Sequence, residues 1–211
     1  MRSGKKFTRG DVFTVTSVER NGNDIKVEIR LTDYAHYLFT RNMAFDEKLS
    51  CRVIYAAAMI KTNDDKVLIG VMGEHTSSPG RMQFSGGGID LNDLRGNEID
   101  FLSSVTKEMA EEVGLEVSNA YASRIYPKYF KSGGAHNSLA ITYMIDLNIS
   151  AREVEEIFQA NNQKIMSENK NPEFDSLLFV GHDPEKISEL EKLGPDQIND
   201  YIATLLKMEL Y

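Results

Sequence analysis

The chain has 211 residues, 41% hydrophobic and 27% charged, which is enough apolar side chain for one full domain with a smaller appendage. Its net charge of −8 argues against an extended nucleic-acid footprint, which needs a face rich in lysine and arginine. Cys51 is the single cysteine, so an intramolecular disulfide and a cysteine-based zinc site are both excluded.

The basic start Met1-Arg2-Ser3-Gly4-Lys5-Lys6 is not followed by an apolar run of signal-peptide length, and no stretch approaches the ~18 apolar residues of a membrane span. A cytoplasmic home is therefore expected. Asp11–Glu19 and Asp24–Leu31 are rich in Val, Ile and Thr and flank the turn signal Asn21-Gly22-Asn23, predicting a hairpin within a β-rich extension over residues 1–50. Leu31–Leu38 reads as a short capped helix. Arg52–Lys61 and Lys66–Met72 predict a second hairpin, and the nearly unbroken apolar run Ile54–Ile60 fits a strand buried on both faces. Met82–Ser85 predicts a short strand leading into Gly86-Gly87-Gly88, where the backbone can bulge and approach a ligand closely, unless the run is a plain flexible turn.

Asp100–Val113 predicts a helix with Asp100 as N-cap and Gly114 as the residue that ends it. Glu116–Tyr129 and Ser138–Leu147 read as strands. Ser150–Ala160 reads as a helix opened by the capping box Ser150-x-x-Glu153. Asn161–Asp175 is polar and predicts a loop, Ser176–Val180 a last strand, and Asp183–Lys192 and Pro195–Leu210 two closing helices.

The chemistry concentrates in Lys107-Glu108-Met109-Ala110-Glu111-Glu112-Val113-Gly114-Leu115. Helical spacing puts Glu108, Glu111 and Glu112 on one face and Leu102, Val105, Met109 and Val113 on a separate apolar stripe. Carboxylates near a helix C-terminus oppose the macrodipole, at a cost of about 0.3–1 kcal/mol each. A hard cation such as Mg²⁺ would reverse those terms; a solvated acidic helix end is the other reading. Arg81 precedes the glycine strand and suits a phosphate or, equally, a loop salt bridge. Tyr126, Lys128, Tyr129, Phe130 and Lys131 form an aromatic–basic cluster fit for stacking on a base or for ordinary strand packing. His136 and Asn137 read as loop polarity.

A glycine-rich strand end followed by Lys-Glu-x-x-Glu-Glu-x-Gly-Leu resembles the Nudix box. The second half matches at Lys107, Glu108, Met109, Glu111, Glu112, Gly114 and Leu115. The first half departs: Leu94 and Ile99 stand where the pattern asks for a glutamate, and Gly88 lies nineteen residues before Lys107 rather than fourteen. About five residues are thus inserted within Asp90–Asn97, and Glu98 or Asp100 stands in for the missing acid. Lys107 replaces the pattern's arginine and loses its bidentate fork.

Other segments resemble the UDP-glucose and UDP-galactose pyrophosphatase branch of that superfamily. They are Leu31–Tyr34 through Thr40-Arg41-Asn42, Ser78–Arg81, Leu102–Glu108, Ala140–Leu147 and Glu173–Ser176. The resemblance implies an α/β/α sandwich with a mixed sheet over residues 51–211, and Mg²⁺- or Mn²⁺-dependent cleavage of a nucleoside diphosphate-linked metabolite. In the UDP-sugar case the products are UMP and a sugar 1-phosphate. It implies Glu108, Glu111 and Glu112 as metal ligands, and Glu112, Glu111 and Lys107 as catalytic residues. Gly86, Gly87, Gly88 and Arg81 would bind substrate. Glu173 or Asp175 stands behind Glu112 as general base. A homodimer is compatible with it. Alternative readings are hydrolysis of ADP-ribose, dinucleotides or nucleoside triphosphates, and a non-catalytic nucleotide-binding sensor.

Overall fold

The computed structural model describes residues 10–22, 24–41, 49–117, 121–134 and 137–211. The basic start, Asn23, Asn42 and His136 lie outside the described residues. An N-terminal hairpin of β1 (Asp11–Asn21) and β2 (Asp24–Asp33) is followed by α1 (Tyr34–Arg41). The helix begins later than its sequence suggested, because β2 stays paired with β1 through Asp33, whose carboxylate then accepts the N–H of His36 at 2.9 Å.

The main sheet has seven strands: β3 (Ile54–Lys61), β4 (Val67–Met72), β5 (Met82–Gln83), β6 (Ser85–Gly88), β9 (Ala122–Gly133), β10 (Ser138–Leu147) and β11 (Phe174–Val180). Between β6 and the acidic helix, β7 (Leu94–Arg95) and β8 (Glu98–Ile99) make a small separate hairpin, which is how the inserted residues are accommodated. The path runs β11-β4-β3-β10-β9, with β3 parallel to β10 and the other neighbours antiparallel. The predicted hairpin of β3 and β4 pairs only at its root, Lys61 with Val67. Beyond that point the strands part; β6 takes the edge of β3 and β5 that of β4. The triple glycine is therefore part of a strand.

Alternation along β3 splits the core between two faces. Ile54, Ala56, Ala58 and Ile60 face α2 (Phe101–Glu112) and α3 (Ala151–Ser167), meeting Val105, Met109, Val154 and Phe158. Ala57 and Met59 face α4 (Pro184–Glu191) and α5 (Ile202–Leu210), meeting Ile187, Leu190, Ile202 and Leu206. The result is the expected α/β/α sandwich. The N-terminal hairpin is packed into the first of these cores through Phe13 and Val15, with Val15 N–H bonded to Arg52 O at 2.7 Å.

Several elements differ in length from the sequence reading, β9 among them, which runs from Ala122 to Gly133 in register with β10. α3 continues through Ser167, across residues with poor helix propensity, because their side chains find outside partners. Asn161 Nδ2 donates to Glu111 O at 3.1 Å and Asn162 Nδ2 to Phe174 O at 3.0 Å. α5 starts only at Ile202, since the chain before it turns at Gly194–Gln197 and Ile198 bridges β5, with Met82 N–H donating to Gln197 O and Asn199 N–H to Met82 O. Among the described residues no helix is long and apolar enough to cross a membrane.

Candidate active site

Local chemistry sets the orientation of α2. Asp100 caps it, its carboxylate accepting the Ser103 N–H at 3.0 Å. Buried Val105, Met109 and Val113 fix its inward stripe. At the far end Gly114 adopts φ +80, and a side chain there would meet Asn161 Cβ at 2.7 Å, so only glycine lets α2 end against α3. Asn161 meanwhile satisfies one of the last carbonyls of the helix.

With α2 so placed, Glu112 is 3% exposed and points at β6. Its Oε2 accepts Ser85 Oγ at 2.6 Å and the Gly86 N–H at 2.9 Å. Its Oε1 is buried without a hydrogen-bond partner among the described residues. Burial, then the charge of Glu173, push this carboxyl well above the ordinary range, against the two hydrogen bonds. Glu108 lies over Gly87: a methyl group added at Gly87 would sit 2.8 Å from its Oε1. Its carboxyl is also raised, mainly by burial, with Glu111, Glu173 and Asp93 adding to the effect and Lys107 opposing it.

Glu111 faces outward, its side chain 60% exposed. Lys107 Nζ lies 3.7 Å from Glu108 and 3.9 Å from Glu111, bridging the two loosely. Of the acids named in the distal loop, Glu173 lines the cavity beside β6 and has its carboxyl raised by desolvation. Asp175 instead accepts the Glu74 N–H at 3.3 Å. Neither Glu98 nor Asp100 meets the acidic face: Glu98 is exposed in β8 and Asp100 is the helix cap. The insert presents Asp93, buried, held by the Asp90 N–H at 2.9 Å, and close enough to act on Glu108 and Lys107. Sequence reasoning missed it because the insertion breaks the spacing of the pattern.

The donor set suits a hard cation. An unpartnered carboxylate oxygen and acids that raise one another's pKa are both relieved by a divalent ion. Among the described residues, no three His, Cys, Asp or Glu side chains gather closely enough to hold one by themselves. Mg²⁺ commonly takes one or two carboxylates and completes its shell with water and phosphate oxygens. Glu108 and Glu112 supply that number.

A cavity of about 390 Å³ opens along β6. Gly86, Gly87, Gly88 and Arg81 line it, as do Tyr34 and Tyr37, Lys131, and Asn199 to Tyr201. Arg81 Nε is buried without a partner among the described residues. The aromatic–basic cluster divides: Lys128 pairs with Glu209 at 2.5 Å and Tyr129 donates to the same carboxylate, so these pack β9 on α5, while Lys131 turns to the cavity.

No protein-family model matches this sequence, and no curated protein sequence matches it. Among solved structures, DR0079 of Deinococcus radiodurans is similar at a TM-score of 0.51 and 15% identity, over 76% of this chain and 84% of that one. A NUDIX hydrolase of Nitrosomonas europaea is similar at 0.43 and 12%, over 76% and 92%. The likeness to DR0079, at 15% identity, is one of fold alone. A bifunctional NMN adenylyltransferase/ADP ribose pyrophosphatase of Francisella tularensis is similar at 0.45 and 11%, over 84% of this chain, which spans 45% of that protein.

Proposed function

We propose that the chain is a Mg²⁺-dependent Nudix hydrolase that cleaves the diphosphate of a nucleoside diphosphate-linked metabolite, a UDP-sugar in the finer reading. The observation that carries this is Glu112: a buried acid held by Ser85 and Gly86, with one oxygen left unpartnered beside the glycine strand. Leaving such a group unsatisfied costs about 1–3 kcal/mol, which a core of this kind would avoid by placing an apolar residue there.

Glu108 and Glu112 are the residues that would hold the cation, with Glu111 and Lys107 completing the charge of the face. A bound Mg²⁺ supplies charge neutralisation on the diphosphate and a lowered pKa for a bound water. The glycine strand lets the diphosphate lie against backbone, and Arg81 meets a phosphate oxygen. Water forms a bond to one phosphorus, the bond from that phosphorus to the bridging oxygen breaks, and Glu173, which lines the cavity, takes the water's proton. For a UDP-sugar the products are UMP and the sugar 1-phosphate. Residues 51–211 form the hydrolase domain in this reading, and the extension before it contributes Tyr34 and Tyr37 to the cavity.

The test is a panel of UDP-glucose, UDP-galactose, ADP-ribose, a dinucleotide and a nucleoside triphosphate with Mg²⁺, products resolved by chromatography, for the native chain and Glu112→Gln. Turnover of a UDP-sugar that the substitution abolishes is expected. Faster turnover of ADP-ribose or a triphosphate removes the UDP-sugar reading, and turnover of nothing removes the hydrolase reading and favours a nucleotide-binding sensor.

A further inference from the structure

One wall of the cavity is built by a segment whose sequence looked helical. Ile198 makes a single parallel bridge to Met82 of β5 and is buried at 4% exposure. That docking carries Asn199, Asp200 and Tyr201 to the cavity, where they join Tyr55, Lys131 and Ser138. Tyr201 is 6% exposed, with Tyr55 and Asn199 beside its hydroxyl. Its ring stands 6.3 Å from that of Tyr55 and 6.0 Å from that of Phe84, forming an aromatic floor. Lys131 Nζ reaches Asp200 at 3.4 Å, Gly133 O at 2.5 Å and Ser138 Oγ at 3.2 Å. Gly134, at φ +80, leaves the room that the Asp200 carboxylate occupies.

The chemistry of this wall is selective. Lys131 and Asp200 cancel each other's charge, so a second phosphate finds no surplus cation there. The tyrosine and serine hydroxyls and the asparagine amide each both donate and accept, which wastes them on an apolar group. A neutral ligand carrying several hydroxyls matches every one of them, and its carbon faces match the aromatic floor. We infer that this wall is a recognition subsite for a glycosyl group, the half of the substrate beyond the diphosphate, and that Tyr201 and Asp200 set the preference for it. The inference rests on the hydrolase reading for the diphosphate alone.

Calorimetric binding of UDP-glucose, ADP-ribose and the methyl ester of UDP to the full chain tests it, with Ca²⁺ in place of Mg²⁺ and turnover with Mg²⁺ measured separately. The native chain should bind at least one glycosyl diphosphate about tenfold more tightly than the methyl ester. Tyr201→Phe and Asp200→Asn, each confirmed folded by its melting curve, should cut that preference to about threefold or less. Equal binding of glycosyl and methyl esters, binding of none of them, or an undiminished preference in both variants overturns the subsite. Preferential binding without turnover in Mg²⁺ leaves the subsite standing and removes the hydrolase reading instead.

Discussion

Ser85 donates its hydroxyl to Glu112 Oε2 across 2.6 Å, joining the start of the glycine strand to the last turn of the acidic helix. Both residues are buried, at 0% and 3% exposure, and the neighbouring Gly86 N–H binds the same oxygen. One carboxylate oxygen is thus committed to holding the strand and helix together, and the other is left for a ligand.

Ser85→Ala removes a fully buried donor from a carboxyl that has few partners. A stability loss of about 1–3 kcal/mol is expected, read as a lower urea midpoint at unchanged slope. Turnover should fall with it, because Glu112 loses one of the two contacts that orient it.

Gly87 and Gly88 separate the site from the scaffold. Gly87→Ala puts a methyl group 2.8 Å from Glu108 Oε1, whereas at Gly88 nothing lies within 4 Å. The carboxylate can swing away, so Gly87→Ala should fold normally while losing roughly 10–100-fold in kcat/KM through misplacement. Gly88→Ala should melt with the native chain, since the added methyl group meets no protein atom within 4 Å. Steady-state kinetics beside melting curves distinguish the two.

Asp64 ties the β3–β4 turn to α3. Burial would raise its carboxyl, but Thr62, the Ala151 N–H and Lys66 outweigh that and lower it from 3.8 to about 2. A depressed folded value means the stabilisation is present above the ordinary pKa and is lost as pH falls from about 4 toward 2. Asp64→Asn should lower the melting temperature at pH 6 and shrink its fall between pH 4 and pH 2 relative to the native chain. An unchanged acid limb would show that another carboxylate carries the effect.

The sandwich and the acidic helix were legible because their signals are local: apolar alternation in β3, the Asp100 cap, the Gly114 stop and the 108/111/112 spacing. What escaped the sequence depends on contacts between distant residues. α3 outruns its propensity because Asn161 and Asn162 bond to Glu111 and Phe174. The segment before α5 stays out of the helix because Met82 binds Gln197 O and the Asn199 N–H. The same limit applied to the site. Spacing could put three glutamates on one face, but only packing against β6 buries Glu112 and leaves Glu111 outside. The approach of Asp93 to Glu108 follows from how the inserted residues fold, which no periodicity encodes.

Whether Glu108 and Glu112 hold a divalent cation for diphosphate hydrolysis is read most directly from turnover as a function of Mg²⁺ concentration. The substrate is whichever nucleoside diphosphate derivative the native chain cleaves, and Glu108→Gln is compared with Glu116→Gln, an exposed acid beyond the helix. The native chain should be inactive in EDTA, Glu108→Gln should need at least about tenfold more Mg²⁺ for half-maximal rate, and Glu116→Gln should follow the native curve. Turnover that survives EDTA, or equal Mg²⁺ dependence in the two variants, would contradict the account.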